Sequence, residues 1–288
     1  MSTYYPKNTA DLISAINDIN NSPTGVNYTI SLRENYIYSF TTHSDTHPDY
    51  STVKLALPVI TRDVHIIGKG STIQRGSGAS TFRALHMTTS ADVQIESQTF
   101  KGMNQGVIST GGHLTLLDCN FIDNVTTVSD VFGLVFTTDK DLTVKGCRFE
   151  NNDGPTAVGG AIAVWDQAGD VLISDSHFIN NYADDGGALF ISNPDSLLVI
   201  GNRFFDNAAS TAGGAIVLND VTDAEIHYSI FEENSSGNGV YFYGVGGAAI
   251  RLNNGTNAKI RQCKFSDNVS PVGAVVDADD HYYVGIGQ

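Results

Sequence analysis

Phe-x-x-Asn occurs six times in this chain, at Phe121–Asn124, Phe149–Asn152, Phe178–Asn181, Phe204–Asn207, Phe231–Asn234 and Phe265–Asn268. Successive phenylalanines lie 28, 29, 26, 27 and 34 residues apart. Gly-Gly-Ala begins at Gly159, Gly186, Gly213 and Gly246, at intervals of 27, 27 and 33, and a weaker copy, VGA, fills 272–274. Both series lengthen at the same point, which places an insertion of about six residues in 236–244 (SGNGVYFYG). A repeat this regular restricts the chain to stacked or radial architectures.

Between the markers lie short segments with apolar residues at every second position, such as HLTLLDCNF, DLTVKGCRF and DVLISDSHF, and another after each glycine pair (AIAVWD, ALFISN, AIVLND). That period is the strand period, and the 3.6-residue period of a helical array is absent. A propeller blade needs about 40 residues. A repeat near 27 residues with several short strands is one turn of a parallel β-helix, with rungs about 4.8 Å apart. Equivalent residues of successive rungs then form ladders. The phenylalanines are expected to stack inside. The asparagines are expected at an inward corner, each amide bonding the next. The glycine pair turns the backbone at positive φ. Cys119, Cys147, Ser176, Asn202, Ser229 and Cys263 share one slot, two residues before each Phe. The three cysteines therefore read as small inward residues rather than as a disulfide framework.

The fold expected is all-β: a single-stranded parallel β-helix forming one domain over 1–288, with degenerate first rungs over 55–110 and regular ones over 111–278. Residues 9–20 (TADLISAINDIN) put Leu12, Ile13, Ile16 and Ile19 on one helical face, with Thr9 as N-cap. A solenoid needs such a lid on its first rung. The far end, PVGAVVDADDHYYVGIGQ, shows no comparable cap, so a continuation of the chain or a second copy of it is expected there.

The chain is 41% hydrophobic and 16% charged, with 29 glycines, which suits a folded, turn-rich β-protein. A net charge of −15 repels phosphate backbones and argues against nucleic acid as partner. No apolar run reaches the length of a membrane span, and the start lacks the charged-then-apolar order of a signal peptide. P-loop, HExxH and Gly-x-Ser-x-Gly motifs are absent. The eight histidines are scattered; His43 and His47 share a polar loop, HSDTHPD, read as too flexible for a metal site. The sequons at Asn124, Asn234 and Asn268 fall on the inward ladder and are not read as glycosylation sites.

The alternation of Phe-x-x-Asn with Gly-Gly-Ala resembles the repeats of polymorphic outer-membrane proteins. The segments TADLISAINDIN, YTISLRENYIYSF, LALPVITRDVHIIGKGSTIQR and FRAL resemble bacterial right-handed β-helix surface proteins that carry a CSLREA domain, although that hexapeptide itself is missing here. The resemblance implies a right-handed coil and a secreted or cell-surface, adhesin-like module, without an agreed catalytic site.

Three sets of residues are candidates for chemistry. Arg148, His177 and Arg203 are expected to face outward on successive rungs, where they could grip an acidic glycan or act as the base of a polysaccharide lyase or C5-epimerase; a solvated face balanced by acids such as Glu150 is the simpler reading. Trp165, Phe190 and Asn219, joined by Arg251 if its rung is shifted by one residue, are expected to line an exposed strip after the glycine pairs, walled by Tyr241 and Tyr243, suited to stacking on sugar rings; cover by the 41–54 segment or by a partner subunit is the alternative. Asp166 and Asp220, two rungs apart, have about the spacing of an inverting glycoside hydrolase, and with Asp139, Asn193 and Asn254 could hold Ca²⁺; turn residues at strand ends are the plainer account. The reading adopted is a non-catalytic module for polysaccharide or cell-surface glycan. A polysaccharide-active enzyme is the first alternative and a self-assembling homo-oligomer the second.

Overall fold

The computed structural model describes residues 2–126, 133–165, 169–237 and 246–278. Its strands form a parallel coil. Sheet A has ten strands, from Ser2–Tyr4 to Ala258–Arg261; sheet B has nine, from Ile37–Phe40 to Lys264–Ser266; sheet C has eight, from Leu85–Met87 to Val276–Ala278. Four strands, Asp153–Val158, Tyr182–Asp185, Ala208–Ala212 and Ser235–Ser236, make the smaller sheet D. One turn runs through Leu142–Lys145 in A, Arg148–Glu150 in B, Asp153–Val158 in D and Ile162–Val164 in C, then re-enters A at Asp170–Ser174. The repeat thus supplies up to four strands per turn.

The ladders run through the interior. Phe121, Phe149, Phe178, Phe204, Phe231 and Phe265 pair in register along sheet B. Their ring centroids lie 4.6, 5.0, 4.8, 4.8 and 4.9 Å apart, nearly parallel, and Phe100 extends the column at 5.2 Å. Each ladder asparagine but the last, Asn268, joins three rungs. Asn181 Nδ2 donates back to the Phe149 carbonyl (3.1 Å) and forward to Asn207 Oδ1 (2.9 Å), while its Oδ1 accepts from Asn152 Nδ2 (2.8 Å) and the Asn152 amide (3.3 Å). The sequons at Asn124 and Asn234 are accordingly buried. The residue before each asparagine, from Asp123 and Asn151 through Asp267, has φ of 50–57°, which is why Asp and Asn crowd that position.

The cysteine slot forms a second ladder. The Cys147 amide donates to Ser176 Oγ (3.0 Å), the Ser176 amide to Asn202 Oδ1 (2.9 Å) and the Asn202 amide to Ser229 Oγ (3.2 Å). All three cysteines are free thiols.

The two glycines of the first three pairs serve different purposes. Gly159, Gly186 and Gly213 have φ of 68°, 64° and 59°, a left-handed turn. Gly187 is dictated by proximity: a Cβ there would lie 2.2 Å from the Gly214 carbonyl of the next rung.

At the N-terminal end, helix α1 (Thr9–Asn20) buries Leu12, Ala15, Ile16 and Ile19 against the first rungs, with Ile13 at the edge. Its N-cap is Asn8 rather than Thr9, because the Asn8 side chain accepts the Asp11 amide. No helix among the described residues is long and apolar enough to cross a membrane.

One interior carboxyl gives the coil a pH dependence. Asp185 on sheet D is 2% exposed, and its Oδ1 has no hydrogen-bond partner. Burial, then the charge of Asp184, raises its pKa from 3.8 to about 7. The folded state therefore favours the protonated form, and stability present below about pH 4 is lost as pH rises through 7. Asp185→Asn is expected to flatten this dependence and to stabilise the protein at pH 8 by up to about 4 kcal/mol, read as a higher melting temperature at pH 8 with little change at pH 4.

Candidate functional site

Alternation correctly puts Asn120, Arg148, His177, Arg203, Ile230 and Lys264 in one outward row of sheet B. Both arginines in this row are already engaged. Arg148 Nε lies 2.8 Å from Glu150, Arg203 Nη2 lies 3.0 Å from Glu232, and the Arg203 guanidinium also sits over the Phe205 ring. His177, between them, has its pKa lowered, first by partial burial and then by the two guanidiniums. The strip is a balanced charged face.

The aromatic strip is placed differently from the expectation. Ala163, Phe190, Val217 and Arg251 do form one row on the outward side of sheet C, and Arg251 needs no shift of register to join it. But Phe190 is 0%, Arg251 5% and Asn219 7% exposed, so they do not form an open surface. The alternating pattern says which way a side chain points, not what covers it. Here the glycine turns fold back over the sheet: a Cβ on Gly213 would come 2.6 Å from Val217 Cγ2. Half-buried Trp165 stacks on Phe190 at 5.2 Å. Arg251 is held by Asp277 (2.8 Å) and Asn253 (2.7 Å), and Asn219 by Ser192 (3.1 Å) and Asn254 (2.7 Å). Tyr241, Tyr243 and Asp166 lie outside the described residues. Asp139, Asn193, Asp220 and Asn254 all have positive φ, between 46° and 72°, as strand-ending turns require.

A different place on sheet C carries a cleft of about 300 Å³. Its floor is the N-terminal part of the same outward row, where His86, Ser109 and Phe136 stand in register. Its wall is a hairpin in which Asp45–Thr46 pairs antiparallel with Lys54–Leu55. The His47 amide donates to the Val53 carbonyl (2.9 Å) and Val53 to Tyr50 (2.9 Å), closing a tight tip. Far from being mobile, His47 is 5% exposed, because the hairpin lays it on the sheet: its ring centroid is 4.0 Å from that of His86, itself 7% exposed. Thr88, Thr89, Thr138, Gly111 and Asp139 close the rim, and Asp49 and Tyr50 overhang it from the hairpin tip.

Beneath lies Arg83, fully buried, with Nε donating to the Gln105 carbonyl and Nη1 to that of Ile108, both at 3.0 Å. Burial lowers its pKa to about 9. The pKa of His47 falls to about 3 through burial, then the nearby His86 and Arg83. That of His86 falls to about 4 through burial and then Arg83, opposed by Asp49. Both imidazoles are neutral at physiological pH and available as donors of a lone pair. His86 Nδ1 is 2.9 Å from Ser109 Oγ, which fixes the ring, and His47 Nδ1 accepts the Asp49 amide at 3.2 Å. Ligand atoms of His47, Asp49 and His86 all lie within 4.8 Å of one another. The sequence reading missed this group. His47 precedes the regular repeats, and His86 becomes conspicuous only when its rung is aligned with those where the same position holds Phe136, Ala163, Phe190 and Val217.

The family described as right-handed β-helix region matches residues 58–188 and 158–285, which include this cleft's floor and every regular rung. The chain belongs to that family. As a β-helix protein it is also 32% identical, over 124 residues, to metabotropic glutamate receptor-like protein R of Dictyostelium discoideum. That match takes in 42% of the β-helix chain but only 7% of the receptor-like protein.

Proposed function

We propose that this chain is a non-catalytic binding module of a secreted or cell-surface protein, and that it takes a polyhydroxylated ligand, a stretch of glycan, in the cleft beside the hairpin. The observation that carries this is the composition of the cleft: Tyr50 offers a ring face above the Phe136 floor, and Asp49, Asp139 and the rim threonines Thr88, Thr89 and Thr138 offer hydrogen-bonding oxygens, in a concavity of about 300 Å³. Sugars are held by this combination of apolar ring face and polar edge. The charged row of sheet B supports the reading by contrast, since its arginines already have carboxylate partners. The resemblance to a protein titled receptor-like supports a surface setting.

A glycan array followed by titration calorimetry tests the proposal. Tyr50→Ala and Asp139→Asn are each expected to weaken the best ligand about tenfold, the equivalent of roughly 1.4 kcal/mol, without altering the melting temperature. Binding that is indifferent to both substitutions overturns the site. Appearance of unsaturated uronate or of shortened chains on incubation with the ligand overturns the non-catalytic reading in favour of a lyase or hydrolase. A concentration-dependent rise in mass without ligand favours the self-assembling alternative.

A further inference from the structure

We infer that His47, Asp49 and His86 form a binding site for a borderline divalent transition-metal ion of the zinc class. The donor set is two imidazole nitrogens and one carboxylate, gathered within 4.8 Å from two separate parts of the chain, the hairpin tip and sheet C. Nitrogen-rich sets of this kind suit Zn²⁺, Co²⁺ or Ni²⁺, whereas Ca²⁺ and Mg²⁺ require mostly oxygen ligands.

Three features mark the group as more than a chance meeting of side chains. Ser109 Oγ, 2.9 Å from His86 Nδ1, can accept that nitrogen's proton and leave Nε2 for the ion, the outer-shell support typical of metal-bound histidine. The two imidazoles pack at 4.0 Å between centroids, which brings nitrogens from the hairpin and from sheet C into one small space. Asp49 is exposed at the hairpin tip, so its carboxylate can swing inward at little cost. The one weak bond to be replaced is the Asp49 amide to His47 Nδ1, long at 3.2 Å. Arg83 opposes a cation here, but its charge is set against the carboxylates of Asp49 and Asp45, both of which act on His86 in the opposite sense. Two donors on a tetrahedral zinc ion stand about 3.4 Å apart, so loading draws the hairpin onto the sheet. Three protein ligands leave a further position for water or a ligand hydroxyl, which deepens the glycan reading without depending on it.

The test uses the full chain stripped with a chelator. Calorimetric titration with ZnCl₂ is expected to show one ion per chain. CoCl₂ is expected to give visible d–d bands, and CaCl₂ no heat. Asp49→Asn removes an exposed carboxylate and should weaken Zn²⁺ at least tenfold. His47→Gln and His86→Gln should weaken it about a hundredfold or more. A zinc-dependent rise in melting temperature should vanish in step, and circular dichroism checks that each variant is folded. His65→Gln and His113→Gln, which disturb histidines paired elsewhere with Glu96 and Asp141, should leave affinity unchanged. Absence of one-to-one uptake of any of the three transition ions overturns the inference, as does uptake that survives Asp49→Asn and His47→Gln together. Glycan binding measured in chelator keeps failure of this inference distinct from failure of the ligand site.

Discussion

Asn181→Asp is expected to melt about 10 °C or more below the parent at pH 7, the consequence of roughly 3–5 kcal/mol lost when a charge is buried without a partner. The exchange conserves shape almost completely, so packing is not the cause. The cause is the loss of a donor. Asn181 Nδ2 serves the Phe149 carbonyl and Asn207 Oδ1 at once; a carboxylate oxygen in its place faces two acceptors in a buried corner. Asn181→Ala, although smaller, should be the milder change at pH 7, because it leaves unmet groups but introduces no charge. The order should narrow or reverse on acidification. The new carboxyl has a folded-state pKa raised by its surroundings, so the penalty is present above that pKa and fades as pH falls and a proton restores one donor. Melting curves of the three proteins from pH 4 to 8 decide the matter. Equal stability of the Asp and Asn forms at pH 7 would mean that the amide ladder contributes nothing.

Phe178→Ala is expected to cost about 3–5 kcal/mol. The ring is wholly buried between Phe149 at 5.0 Å and Phe204 at 4.8 Å, with planes within 7°, and the cavity cannot be filled from either side because those rings are fixed by their own rungs. Phe178→Leu, which keeps most of the volume, should lose less than half as much. The diagnostic is coupling. Removing Phe149 and Phe178 together should depart from additivity, since the second truncation enlarges a cavity that the first has opened. Phe149 with Phe231, separated by two intervening rings, should add within about 0.5 kcal/mol. Because a stacked coil need not unfold in one step, hydrogen exchange resolved by segment should accompany the melts, with protection falling first around the altered rung.

The interior was legible in the sequence because its demands recur. A phenylalanine column, an amide column and a close approach at Gly187 each impose one residue type at one offset on turn after turn, so six copies of the first two and four of the third are enough to expose them. The small residues of the cysteine slot follow the same logic. Outer surfaces were not legible in this way. Alternation places Phe190 and Val217 on the outward side of sheet C, as found, but it carries no information on the turns that fold over them. The cleft was harder still. It depends on a hairpin that belongs to no repeat and that brings His47 within 4.0 Å, ring to ring, of a residue 39 positions later. Contacts made once leave no periodic trace.

Each asparagine amide speaks only to the levels directly before and after it. Nothing in that exchange registers how many levels the stack contains. A gene encoding such a protein can therefore gain or lose a whole coil of about 27 residues and change the height of the column by about 4.8 Å while every remaining neighbour relation stays intact. Length becomes adjustable in fixed increments, and the distance between the lid at one end and whatever meets the other is set by counting.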